Sequence, residues 1–477
     1  MKRFLFIVVV SVSTASCTLG PNYRRPTIGL PSAYRDTTAA VAQPGPASLA
    51  DVPWFDLFKD DTLGQLVRTA LAQNFDLQIA AERVLQARER FHIVRADQFP
   101  VVVGSAGASQ NRVSEIGARP LPPGFGPGIS DVQAGFGIAW ELDVWGRLRR
   151  LNEAARAQYL ATEEARRGVV ITLIADVTNA YFALQTLDRQ LAIAGGTRDI
   201  AVNGLRLTEL RRNRGVATRL DVRQAEQLLY TATAQIASVQ RDIAQTEDAL
   251  SLLLGQAPGD VARGGAAVQA LDAAPLVPPG LPSSLLERRP DIRQAEQVLV
   301  AANAQIGVAK ADYFPRIGLT GVLGVESRDL TALLTAPART WSVGAAAAAP
   351  IFNAGRTRAN VRFSESVERE LVVSYQRTIY RALREVSDAL AGYHKTGEQR
   401  AQQEQLVAAL RDAAQLSTDR YQGGLDSYLQ VLDAQRSLFR SELDLAALQR
   451  QELTAIVELY RALGGGWTPP SETWRQP

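Results

Sequence analysis

Residues 132–142 read Val132-Gln133-Ala134-Gly135-Phe136-Gly137-Ile138-Ala139-Trp140-Glu141-Leu142, large apolar side chains alternating with small or polar ones. That is the period of a β-strand with one greasy face and one small or polar face. Strands of this length cross a bilayer when tilted; as soluble strands they would be long and oddly rich in Gly and Ala on the second face. Strands are therefore expected over 131–142 and over 100–112, with a Gly/Pro-rich loop at 117–128 between them. Upstream, a helix is expected over 62–96, ending where Phe99-Pro100 changes the composition.

Downstream the period changes. Val170, Leu173, Val177, Ala180, Leu184, Leu187 and Leu191 step by three and four, as do Val222, Ala225, Leu229, Ala232, Ile236 and Val239. These are heptad seams, the pattern of long helices packed on long neighbours. With nothing stronger than Gly195-Gly196 to break it, the first helix runs over 148–213, ~100 Å at ~1.5 Å per residue. Gly215 marks its hairpin tip, and the partner helix ends at Gly255.

All of this is written twice. Ala96-Asp97-Gln98-Phe99-Pro100 returns as Ala311-Asp312-Tyr313-Phe314-Pro315, and Phe75-Asp76 as Pro290-Asp291. Gly146-Arg147 then returns as Gly355-Arg356, Gly215 as Gly424, Leu220 as Leu429, Ala225 as Ala434 and Leu254-Gly255 as Leu463-Gly464. The second copy predicts strands over 314–327 and 339–352, where Trp341, Val343, Ala345, Ala347, Ala349 and Ile351 alternate, then helices over 357–422 and 426–463. A duplication this long means two copies of one supersecondary unit. The expected division is a repeat over 62–255, a connecting segment over 256–279, a repeat over 280–464 and a tail over 465–477.

The composition is poor in catalytic residue types. Two His and one Cys among 477 residues leave little for metal or nucleophilic chemistry, so neither a cofactor nor an enzymatic activity is expected. His92 and His394 lie in helical stretches without metal-ligand company. The formal charge is +3, and loss of Lys2 and Arg3 leaves about +1, a balance that argues against binding nucleic acid.

Met1-Lys2-Arg3, the apolar run over 4–12 and the small residues ending at Ala15-Ser16 read as a secretory signal over 1–16. Cys17, the single cysteine, then becomes the N-terminus, where its position suggests lipidation, although Thr14 stands where the bacterial lipobox usually has Leu. One lipid group anchors only marginally, so a second membrane contact is expected. Residues 17–61 begin with an unpatterned arm rich in Pro, Ala and Thr. No later helix reads as membrane-spanning, so the spanning element is β, and a β wall in hydrocarbon must close. Four strands cannot close a barrel. The chain must therefore assemble with copies of itself, two, three or four by this reasoning alone.

Several motifs resemble one family. Cys17-Thr18-Leu19-Gly20-Pro21-Asn22-Tyr23-Arg24-Arg25-Pro26 is similar to the mature start of bacterial outer-membrane efflux lipoproteins, the TolC/OprM-like (NodT-type) outer-membrane factors. So are Leu281-Pro282-Ser283-Ser284-Leu285-Leu286-Glu287-Arg288-Arg289-Pro290-Asp291-Ile292 and Pro350-Ile351-Phe352-Asn353-Ala354-Gly355-Arg356. The resemblance covers nearly the whole chain. It implies an α+β membrane protein: a homotrimeric, twelve-stranded transmembrane β-barrel continuous with a long periplasmic α-helical barrel. It also implies a lipid-anchored exit duct in the outer membrane, extending into the periplasm. Such a duct passes small molecules such as drugs for a tripartite pump, through a periplasmic adaptor and an inner-membrane transporter of the RND type.

By the same resemblance the hairpin tips form the periplasmic mouth. Leu429 and Asp433, one helical turn apart, fall where relatives place their constriction rings, while Gln430 stands where some carry a second acid. Asp221 and Tyr421 match positions that hold the mouth closed. Gly215-Val216-Ala217 and Gly424-Leu425 resemble the adaptor-docking motifs, and Asp426 stands where one relative has a basic partner. Trp140 and Trp341 are candidate interfacial anchors. Two rivals remain from the residues: the exit channel of a type I protein-secretion system, which shares the fold, and a periplasmic coiled-coil adaptor, which the duplication disfavours.

Overall fold

The computed structural model describes residues 18–34, 49, 58, 60–117, 126–264 and 282–465; the signal, Cys17, Leu281 and most of the connecting segment lie outside them. The first copy runs α1 (Asp61–Gln73), α2 (Phe75–Ala96), β1 (Val101–Arg112), β2 (Gly128–Leu142), α3 (Arg147–Asn213) and α4 (Arg219–Leu253). The second runs α5 (Leu285–Arg288), α6 (Pro290–Ala311), β3 (Arg316–Ser327), β4 (Arg339–Ala348), α7 (Arg356–Gln422) and α8 (Tyr428–Ala462).

The main differences from the sequence reading are three. The helix expected over 62–96 is two helices, because Asn74 stops one and starts the next. Its backbone is extended (φ −61°, ψ 131°), its Oδ1 accepts from Leu77 N at 2.9 Å, and its Nδ2 donates to Leu253 O at 2.9 Å. β4 ends at Ala348, short of Pro350, which has no N–H to give a ladder. One window of α3 is long and apolar enough to span a membrane, contrary to the expectation that no helix would be, but 56% of it is buried. Those side chains form a core: Val177, Tyr181, Phe182 and Leu184 are each at most 1% exposed, and each large apolar residue so buried contributes about 1.5–3 kcal/mol.

The chain divides into two compact units. The first holds the sheet, ordered β1-β2-β3-β4 and antiparallel throughout. Ala139 pairs with Val101, Phe136 with Leu323, and Leu323 with Trp341. Gly135 lies opposite Gly324. A Cβ on Gly135 would stand 2.7 Å from Leu323 O, and one on Gly324 2.7 Å from Ala134 O. The two strands therefore approach at a point that only glycine permits. Every residue of β1 and β4 is exposed in the single chain. Among the described residues, no strand pairs with the outer edge of either.

In the same unit, residues 18–25 form a strap across the start of α3 and along α6 from Glu296 to Gly307. Leu19 N donates to Trp145 O at 3.1 Å, and Arg150 donates to Leu19 O at 3.1 Å and Asn22 Oδ1 at 2.8 Å. Asn303 Nδ2 donates to Pro21 O at 2.9 Å. Arg25 grips Glu296 through two bonds of 2.7 and 2.8 Å. Gly20, at φ +93°, crosses Gly307 so closely that a Cβ on it would lie 2.4 Å from Gly307 Cα. Between α3 and α6 Ala154, Ala157, Ala301 and Ala304 form a small-residue seam.

The second unit holds α1, most of α3 and α7, and all of α4 and α8. Its heptad seams carry the core, and its two hairpin turns make the candidate site.

Candidate functional site

The α3–α4 turn passes through Gly215 at φ 75°, the α7–α8 turn through Gly424 at φ 75°. Both close in the same way: Val216 N donates to Arg211 O at 2.9 Å and Leu425 N to Arg420 O at 2.9 Å. This is the left-handed glycine stop that satisfies a helix's last carbonyls. A Cβ on either glycine would meet nothing within 4 Å, so each tip offers bare backbone to its surroundings. Val216 and Leu425 beside them are 74% and 71% exposed; Ala217 is half-buried.

Leu429 and Asp433 lie together on the exposed face of α8, Leu429 at 52%. Val431 and Leu432 between them turn inward. Asp221 and Tyr421 are not brought together. The Asp221 carboxylate accepts from Thr218 N at 2.7 Å and Thr218 Oγ1 at 2.8 Å, while Asp221 N donates to Thr218 Oγ1 at 3.2 Å. This capping box starts α4.

Tyr421 instead belongs to a packed cluster joining the two hairpins: Ala201, Ala225 and Leu228 from the first, Tyr421, Tyr428, Val431 and Leu432 from the second. The rings of Tyr421 and Tyr428 meet edge to face at 5.3 Å, and burial pushes the Tyr428 hydroxyl up to about 12. Arg211 caps the cluster. Its guanidinium lies 4.2 Å over the Tyr421 ring and donates to Tyr421 O at 3.0 Å and Gln422 O at 3.1 Å. The sequence reading missed Arg211, since no local pattern marks an arginine whose partner lies 210 residues away. Asp426 pairs within its own turn, accepting from Arg420 Nε at 2.6 Å, and that hydrogen bond holds its carboxyl below the usual range. Trp140 donates to Gln98 O at 3.0 Å; Trp341 is 76% exposed. His92 and His394 each lie beside an aromatic neighbour, Phe91 and Tyr393.

Comparison with known proteins gives these features a context. The model of the family described as "Outer membrane efflux protein" matches the chain twice, over 66–256 and 281–465. The solvent efflux pump outer membrane protein SrpC of Pseudomonas putida is 40% identical over 455 residues, 95% of this chain and 96% of that one. The cation efflux system protein CusC of Escherichia coli O6:H1 is 35% identical over 96% of this chain and 97% of its own. Among solved structures, one of CusC superposes with a TM-score of 0.85 at 33% identity, covering 94% of this chain and 100% of that one. The open-state MtrE outer membrane channel of Neisseria gonorrhoeae gives 0.85 at 29%, covering 96% and 100%. The chain therefore belongs to the outer membrane efflux protein family, whose members are channels and not enzymes.

Proposed function

We propose that the protein is the outer-membrane exit duct of a tripartite efflux system, with three copies closing a twelve-stranded barrel above a shared helical barrel. The observation that carries this reading is the pair of bare sheet edges. Within the described residues β1 and β4 pair only inward, and such edges cannot stand open in hydrocarbon. A cyclic assembly pairs β4 of one copy with β1 of the next and leaves no edge.

The second membrane contact is an acyl chain on Cys17. Support comes from the neighbouring residue: Thr18 packs on Gly146, where a Cβ would lie 2.7 Å from Thr18 Cγ2. That contact is four residues beyond the end of β2, so a lipid on Cys17 has a short reach to the bilayer. Leu429 and Asp433 are proposed as the constriction, on the exposed face of α8, and Tyr421 as part of the closure, with Asp221 shaping the neighbouring turn. Gly215, Val216, Ala217, Gly424 and Leu425 are proposed as the docking points for a periplasmic adaptor, itself carried by an inner-membrane pump of the RND type. Bare glycine backbone flanked by exposed Val216 and Leu425 suits close approach of a partner helix. The cargo class is small molecules such as drugs, in keeping with the relative named for solvent efflux.

Native mass spectrometry of the detergent-extracted full-length protein tests the reading. Three chains are expected; a folded lone subunit overturns it.

A further inference from the structure

One face of the sheet changes chemistry toward the strand ends that lie away from the helices. Phe136 pairs with Leu323 and Leu323 with Trp341, so the three share a face, the one rich in large apolar side chains. Trp341 and Val343 on it are 76% and 81% exposed in the single chain. Arg339 stands two residues beyond Trp341 and therefore on the same face. On β1 that face carries Val102, Ala106 and Ala108, because Ala106 pairs with Ala134, two residues from Phe136. It then turns polar at Gln110 and ends at Arg112. Arg112 is 79% exposed, with Glu115 3.5 Å away; Arg339 is exposed and has no ion-pair partner among the described residues.

The repeat shows that the fold does not ask for these arginines. Arg112 is equivalent to Ser327 and Arg339 to Ser130, and those serines stand at the seam of β2 with β3, where Ser327 pairs with Val132. In the ring, β4 of one copy meets β1 of the next. The 10 residues of β4 all find partners along the 12 of β1 only with Arg339 opposite residue 110, 111 or 112. Matching the apolar faces leaves Gln110 or Arg112. Repeating the β2–β3 register instead sets Trp341 opposite Arg112. In every one of these registers Arg339 and Arg112 of the next copy are directly opposite or one diagonal step apart, about 4.5–8 Å between Cβ atoms. Like charges so placed repel, and Glu115 offsets one of the two.

We propose that Arg339 of one copy and Arg112 of the next form a phosphate site on the lipid-facing rim of the barrel, three in the ring, and that its ligand is the phosphorylated glycolipid of the outer leaflet, lipid A. This rests on the cyclic assembly proposed above. Trp341 marks the headgroup depth, and the two arginines lie just beyond it, at the end of the sheet that faces away from the periplasmic helices. A guanidinium fork matches phosphate oxygens through paired, charge-assisted bonds. Lipid A carries phosphate monoesters, whose charge of about −1.5 to −2 suits two guanidinium groups better than the single charge of a phospholipid's diester. Because each site takes one arginine from each of two copies, the bound lipid stabilises only the assembled ring.

The test titrates the full-length protein in detergent with bis-phosphorylated lipid A and counts bound lipids by native mass spectrometry. Up to three are expected on the three-chain species. Arg112→Ser with Arg339→Ser places at both positions the residue that the other seam carries, and is expected to fold and assemble while losing at least about ten-fold in lipid A affinity. Lipid A stripped of its phosphates is expected to bind no better to wild type than to the variant. Equal lipid A binding by wild type and a three-chain double variant overturns the site and leaves the assembly intact; a lone subunit in wild type overturns both. Phosphatidylglycerol binding as tightly as lipid A, with the same loss in the variant, overturns the choice of glycolipid. Separately, Arg112→Cys with Arg339→Cys is expected to give covalent dimers and trimers with a short bismaleimide, absent from either single variant. A single-chain band from protein that still counts as three chains overturns the meeting of the two positions.

Discussion

Arg211 stacks its guanidinium 4.2 Å over the ring of Tyr421 and donates to the carbonyls of Tyr421 and Gln422, tying the end of α3 to the end of α7. A planar, forked cation suits both tasks at once, which an ammonium does not.

Arg211→Ala removes the stacking and two charge-assisted bonds, about 1–2 kcal/mol in this half-buried setting. The expected result is a higher open probability in planar bilayers, with Arg211→Lys recovering only part of the closure. Conductance traces identical to wild type for both variants would remove Arg211 from the gate.

Leu429 and Asp433 share one exposed helix face. Replacing both by Ala is expected to raise single-channel conductance without lowering thermal stability, because neither side chain packs in the tip cluster. No change in conductance would place the constriction elsewhere.

Gly324 faces the backbone of β2 at a distance no side chain tolerates. Gly324→Leu is expected to prevent sheet assembly, read as loss of heat-resistant trimer on a semi-native gel. Gly318, which a Cβ would leave in open space, is the control: Gly318→Ala should assemble normally.

The strap depends on the crossing of Gly20 and Gly307 and on the grip of Arg25 on Glu296. Gly307→Val is expected to displace it, exposing 18–25 to protease. Glu296→Gln, which keeps the shape and loses the charge pair, should produce a smaller effect. Equal protease resistance in wild type and Gly307→Val would refute the close crossing.

Glu452 is buried on the seam of α8, with Arg400 Nε 2.7 Å from its Oε2. Burial holds its carboxyl above the usual range while Arg400 pulls it down. A carboxyl raised on folding binds its proton more tightly in the native state, so stability falls as pH rises through the native value. Glu452→Gln should therefore flatten the dependence of melting temperature on pH above the ordinary carboxylate range, about pH 4. Arg400 keeps Glu404 at 2.8 Å, so the variant leaves no buried charge unpaired. An unaltered pH profile would show that Glu452 does not titrate differently on folding.

Much of the fold is legible because its signals are local and repeated. The alternation over 132–142 writes a strand, the three-four steps write the long seams, and the second copy writes both again. The break at Asn74 was hidden, for apolar spacing continues through it and asparagine is a weak stop. Its counterpart was plainer: α6 begins at Pro290, whose missing N–H suits a first helical turn, and the repeat aligns it with Phe75.

The sequence by itself determined the class of object: a duplicated unit of strands and long hairpins, poor in catalytic residue types and needing copies of itself to close its wall. Periodicity and turn chemistry carry that information, and both act over a few residues. Only the tertiary structure decided which side chains meet across the fold. Arg211 reaches Tyr421 across 210 residues of chain, and Arg25 reaches Glu296 across 271. Such partners are chosen by how the hairpins pack and the strap threads, which leaves no trace in the spacing around either residue.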